Sequence, residues 1–252
     1  SGAGRAAFRP MMKALLLFLM AGKIGKFLLT GGTMLISVVT YAWVYGWRYA
    51  VGLVGLIFVH EMGHYLAARQ VGLKVGAPCF IPFVGAWIEL KEQPMNAEVE
   101  AFVGMAGPLL GTAGAFLCFL VAENQGSRML MAIAYSGFML NLFNLIPLSP
   151  LDGGRIVAVI SPKIWYVGIP ILIGLFLWRP SPMLLLLAVL AVPKILDALK
   201  NRDFEQSPYY IADGATRLRF AAQYLLLAGF LAITVFSVHE QMTGGPGLDV
   251  PL

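Results

Sequence analysis

The stretch from Tyr49 to Ala68 is apolar for most of its length, yet it holds His60, Glu61 and His64 in an H-E-x-x-H pattern. About 20 mainly apolar residues suffice to cross a bilayer. Hydrocarbon offers the backbone no partners, so such a stretch has to close its own hydrogen bonds as a helix. On that helix His60 and His64 sit one turn apart on one face and can reach one metal ion, with Glu61 beside them. Two imidazoles and a carboxylate are costly to place at membrane depth, and groups there mark function more often than structure.

Composition extends this reading to the whole chain. Hydrophobic residues make up 59% and charged residues only 12%, the profile of an all-α polytopic membrane protein with about 5–7 transmembrane helices. Expected spans are 27–45, 49–68, 99–122, 129–146 and 218–238. A weaker pair, 164–178 and 183–196, is interrupted by Arg179-Pro180-Ser181-Pro182. Residues 1–26 are basic, and the apolar run 14–22 is too short to cross, so this end reads as a helix lying in the interface. Trp43, Tyr45 and Trp47 form an aromatic belt. Three segments follow: an N-terminal interfacial segment and first span (1–48), a catalytic membrane core (49–160), and C-terminal helices with a tail (161–252). Cys79 falls in a loop and Cys118 within a span, which argues against a disulfide and against a cysteine metal site.

Basic residues give the orientation. With the N-terminus in the cytosol, 15 of the 18 Lys and Arg fall on the cytosolic side; only Arg48, Arg128 and Arg179 lie outside. That is a strong positive-inside bias. The charges are dispersed between apolar runs, which excludes a nucleic-acid surface. His60 then lies roughly 14 Å below the cytosolic surface, at about 1.5 Å per residue. The segment after the fourth span, Pro147-Leu148-Ser149-Pro150-Leu151-Asp152-Gly153-Gly154, approaches from the same side. A catalytic zinc takes three protein ligands, and Asp152 is the candidate for the third, although Pro-x-Asp-Gly-Gly is also turn chemistry. The remaining histidine, His239, falls at the outer end of the last span.

His60-Glu61-x-x-His64 together with Asn144-x-x-Pro147-x-x-Pro150-Leu151-Asp152-Gly153 resembles the site-2 protease family of intramembrane zinc metalloproteases. Both motifs are complete, and Gly107-Pro108-Leu109-Leu110-Gly111 is similar to the small-residue motif between them. The resemblance covers about 53–155. It implies one Zn2+ held by His60, His64 and Asp152, Glu61 as general base, and Asn144 as a donor to substrate or oxyanion. Asn141 reads instead as a polar residue bridging helices. The resemblance also implies membrane-embedded substrates, either single-pass transmembrane proteins or signal peptides, and a cell-membrane enzyme opening to the cytoplasm. The connection 72–98 has no room for a PDZ domain, nor the tail for a CBS domain, so a compact member is expected.

A transmembrane substrate has to unwind before it can be cut. The apolar, strand-prone segment Phe80–Leu90 suggests a short re-entrant or strand-like loop that pairs with it, with Phe83, Val84, Gly85, Ala86, Trp87 and Ile88 as the substrate contacts. The competing class is a metal or proton transporter using the same His and Asp residues. Glu61 separates the two, because hydrolysis requires a base beside the metal and transport does not.

Overall fold

A computed structural model of the chain describes residues 23–83, 85–90, 94–200 and 207–244. It is a helical membrane fold with one small hairpin. In order it comprises α1 (Lys23–Tyr45), α2 (Trp47–Gln70), β1 (Val75–Ile81), β2 (Gly85–Leu90), α3 (Ala97–Gln125), α4 (Arg128–Asn144), α5 (Asp152–Ile160), α6 (Trp165–Trp178), α7 (Pro182–Lys200) and α8 (Gly214–Thr243). Among the described residues α2, α3 and α8 are long and apolar enough to cross a membrane, while α1, α6 and α7 hold shorter apolar stretches. The interfacial segment expected at the N-terminus lies outside the described residues as far as residue 22, and α1 begins at Lys23.

Helix ends follow local chemistry. Gly46, at φ 84°, lets α1 turn directly into α2. The Asn96 side chain accepts from Val99 N at 2.9 Å to start α3, and Ser127 Oγ accepts from Leu130 N at 3.3 Å to start α4. Asp213 does the same for α8, accepting from Thr216 N at 2.6 Å.

One expectation changes. The spacing predicts a fourth span running to Ile146, but α4 has 17 residues and stops at Asn144. It spans roughly 26 Å and is not among the helices that meet the length for crossing. Pro147 and Pro150 lie just beyond it, and a residue before proline disfavours the helical region. Asp152, whose Pro-x-Asp-Gly-Gly setting is also turn chemistry, is the first residue of α5, a helix of 9 residues.

The core sits where α3 packs against α2, α4 and α5, with α8 closing the far side. Buried Phe220, Leu227, Leu231 and Val238 face that core from α8, whereas Leu218, Leu225, Leu226, Ile233 and Phe236 are exposed. Apolar exposure of this kind suits a lipid-covered surface. α6 and α7 pair with each other and meet the rest chiefly through Leu148 and Leu151, ahead of Asp152.

The strand-like loop is an antiparallel hairpin, pairing Pro78 with Ile88, Cys79 with Trp87, Phe80 with Ala86 and Ile81 with Gly85. Phe80–Phe83 therefore belong to the first strand and its turn rather than to one continuous strand.

Candidate active site

The helical spacing does what the motif requires. His60 and His64 project from one face of α2, their rings 4.9 Å apart, and both are buried. Asp152 enters from the start of α5 and is buried too. Its Oδ2 lies 3.1 Å from His60 Nε2 and 3.2 Å from His64 Nε2, and the two Nε2 atoms are 3.1 Å apart.

The outer ring nitrogens are already committed. Asn141 Nδ2 donates to Gly137 O at 2.7 Å, which leaves its Oδ1 to accept from His60 Nδ1 at 2.8 Å. His64 Nδ1 donates to Val103 O at 2.8 Å. With both protons on Nδ1, both Nε2 atoms turn lone pairs toward each other and toward a carboxylate oxygen. Such an arrangement is unfavourable without a cation at its centre. Three donors with edges of 3.1, 3.1 and 3.2 Å are close to one face of a tetrahedron with bonds of about 2.0 Å, whose edge is roughly 3.3 Å. The donor set fits a metal ion.

Close helix packing makes room for these side chains. A Cβ on Gly63 would strike Ala106 O, so α2 and α3 touch backbone to backbone there. A Cβ on Gly107 would occupy the place of the His64 ring, and one on Gly111 that of the Asn141 carboxamide. The small-residue motif in α3 is thus the floor on which His64 and Asn141 rest. Glu61 is buried alongside, with His64, His60, Asp152 and Arg155 around it.

Asn144 is not drawn into this cluster: its Nδ2 donates to Leu140 O at 3.1 Å within α4. Asn141, one turn earlier, is the residue that touches the cluster, at His60. It does bridge helices, as its type suggested, but it does so through His60; nothing in the spacing of the two asparagines reveals which one faces α2. His239 lies apart, its ring 5.9 Å from that of Tyr135. Both cysteines are free.

The hairpin stands beside α2, with β2 lying against it. Thr30 Oγ1 donates to Pro78 O at 2.7 Å, Phe80 N donates to Thr33 Oγ1 at 3.1 Å, and Phe83 N donates to Tyr41 OH at 3.0 Å. The hydroxyls of α1 therefore occupy the outer edge of β1. In an antiparallel ladder, opposed residues turn their backbone groups either toward each other or away together. Pro78 and Phe80 turn theirs to α1, so their partners Ile88 and Ala86 present backbone groups on the outer edge of β2. Val84 lies outside the described residues.

Part of the chain is similar to known proteins. A family model described as peptidase family M50 matches residues 48–127. Zinc metalloprotease MJ0392 of Methanocaldococcus jannaschii is 31% identical over 117 residues, covering 44% of this chain and 34% of that protein. The putative zinc metalloprotease sll0528 of Synechocystis is 30% identical over 146 residues, 55% of this chain and 35% of that protein. Putative zinc metalloprotease Rip3 of Mycobacterium tuberculosis is 31% identical over 124 residues, 46% of this chain and 31% of that protein. The chain thus spans about a third of the length of these curated relatives. Among solved structures, the site-2 protease from Methanocaldococcus jannaschii aligns over 87% of this chain and 90% of that one, at 21% identity and a TM-score of 0.43. The segment matched by the family model bears His60, Glu61 and His64, and Asp152, beyond that segment, closes the cluster.

Proposed function

We propose that the chain is an intramembrane zinc metalloendopeptidase that hydrolyses peptide bonds in or near transmembrane segments of membrane proteins. The observation that carries this reading is the convergence of His60 Nε2, His64 Nε2 and Asp152 Oδ2 within 3.2 Å, with both Nδ1 atoms already bonded elsewhere. These three residues would hold zinc, as the names of the curated relatives suggest for those proteins. When bound, the metal supplies Lewis acidity, which activates water and polarises a carbonyl at neutral pH.

The remaining chemistry belongs to the chain. Glu61 takes the proton of the attacking water and returns it to the leaving amine. Asn144 spends one amide proton on Leu140 O, leaving the second for substrate or a developing oxyanion. The hairpin receives the unwound substrate as an added strand on β2, at the backbone groups of Ala86 and Ile88. Substrates are single-pass membrane proteins or signal peptides, and the site opens to the cytosolic face, the side favoured by the basic residues.

The test is cleavage of a single-span substrate by purified protein in detergent, comparing wild type, Glu61→Gln, and wild type with a zinc chelator. Only untreated wild type is expected to cleave, with Glu61→Gln slower by at least about 10²-fold. Cleavage at the wild-type rate by Glu61→Gln sinks the base assignment. Bound metal with no cleavage by any sample, together with ion flux through reconstituted protein, replaces the protease by the transporter.

A further inference from the structure

The helix that bears Asp152 is gripped by parts of the chain beyond the segment matched by the family model. α5 has only 9 residues, too few to be a stable helix alone. Its glycines let it lie deep in the fold: a Cβ on Gly153 would strike Leu145 O and Ile146 O, and one on Gly154 would strike Ser149 N. Close packing sets depth, but orientation needs directional contacts.

Three such contacts reach it from later elements. Trp165 Nε1, at the start of α6, donates to Gly154 O at 2.8 Å, two residues after Asp152. Tyr224 OH, on α8, donates to Leu145 O at 2.6 Å, one of the two carbonyls against which Gly153 rests. Arg217 Nη1, also on α8, donates to Ile160 O at 3.1 Å, satisfying the carbonyl that ends α5. The same guanidinium holds Ala212 O at 3.2 Å through Nε. Ahead of α8, the Tyr209 phenol donates to Glu100 Oε2 at 2.6 Å, tying this connector to α3. Burial and the Glu100 carboxylate keep that phenol well above its ordinary range, so it stays a donor. The grip thus falls on the turn before α5, on its first turn and on its last residue.

We propose that α8 is a positioning element of the metal site, with Tyr224 and Arg217 setting where Asp152 Oδ2 stands relative to the two Nε2 atoms. The proposal rests on the metal-site reading above. Outer contacts that orient a ligand typically change metal affinity by about 10–100-fold. A purely structural role for α8 would weaken the whole fold instead, whichever ligand is present.

The test measures zinc affinity of the full chain in detergent by competition with a chelating dye, and the visible absorption of the cobalt-loaded protein. The double variant Tyr224→Phe/Arg217→Met is expected to bind zinc about tenfold more weakly and to shift the cobalt bands, with helical circular dichroism and gel-filtration behaviour unchanged. Made in an Asp152→Ala background, where the two imidazoles alone retain a weak site, the same pair is expected to change affinity by less than about twofold, since the coupling passes through the missing carboxylate. If the double variant does not fold, Tyr224→Phe alone, which deletes one oxygen, takes its place in both backgrounds. Zinc affinity within about twofold of wild type overturns the proposal, as does an equal loss with and without Asp152. Wild type that binds no zinc overturns the metal-site reading itself, and this inference with it.

Discussion

The α2–α3 seam and the α6–α7 pair are both built from apolar helices, but they are specified in different ways. Along the seam, glycine and polar side chains set each contact. Gly63 lies on the α3 backbone, Gly107 under His64, Gly111 under Asn141, and Gly114 against Val59 Cγ1. In α6 and α7 the contact is apolar side chain against apolar side chain, Leu172, Leu184, Leu187 and Ala191 among them, and Val167, Ile173, Leu177, Leu185, Val189 and Leu190 face outward. Gly174 has nothing within 4 Å of where a Cβ would stand. Between two apolar helices in lipid there is little hydrophobic gain, so close approach has to come from small residues and hydrogen bonds. Where a metal site needs three donor atoms placed to a few tenths of an ångström, the chain uses that mode; where a helix has only to be covered by lipid, it does not.

The largest effect should follow from adding one carbon to the seam. In Gly63→Ala the new Cβ meets Ala106 O and Gly107 Cα, backbone atoms that cannot rotate away. The helices have to separate beside both histidines. We expect a destabilisation of roughly 1–3 kcal/mol and loss of stoichiometric zinc, read by metal analysis and thermal unfolding in detergent. A variant that keeps full zinc and wild-type stability would show that the seam has slack, and the contrast with α6–α7 would disappear.

A smaller effect tests the polar half of the seam. Asn141→Leu keeps similar bulk but removes the acceptor of His60 Nδ1. The ring is then free to turn, and zinc affinity should fall by about 10–100-fold with little change in stability. An unchanged affinity would mean that packing alone orients His60.

What was legible in the sequence divides along the same line. The long apolar runs announce helices because lipid leaves them no alternative, and His60, His64 and Asp152 come together as their spacing and shared membrane side suggested. What stayed hidden depends on contacts between distant elements. α5 is not announced by its sequence, because Asp-Gly-Gly is equally turn chemistry, yet both glycines serve to let a short helix sit against Leu145, Ile146 and Ser149. β1 was missed because Gly76 and Pro78 are poor strand formers. Pro78 is tolerated on an outer edge, where its missing N–H is not needed and its carbonyl is taken by Thr30. The importance of Asn141 over Asn144 follows from which face of α4 meets α2, and local sequence does not encode that rotation.

The smallest effect is the most discriminating control. Gly174 lies within α6, as Gly63 lies within α2, and both are glycines in the interior of an apolar helix. Propensity alone treats them alike, because alanine is favoured over glycine in a helix by about 0.5–1 kcal/mol. Packing separates them, since the Cβ of Gly174→Ala enters open space. Zinc content should therefore match wild type, and thermal unfolding should be unchanged or slightly raised. A loss of zinc in Gly174→Ala would mean that α6 transmits to the site through its buried first turn, where Trp165 bonds Gly154 O. The pair would then belong to the metal centre rather than to its lipid-facing cover. Retention of zinc in Gly174→Ala beside its loss in Gly63→Ala would assign the difference to helix contact, with propensity held equal.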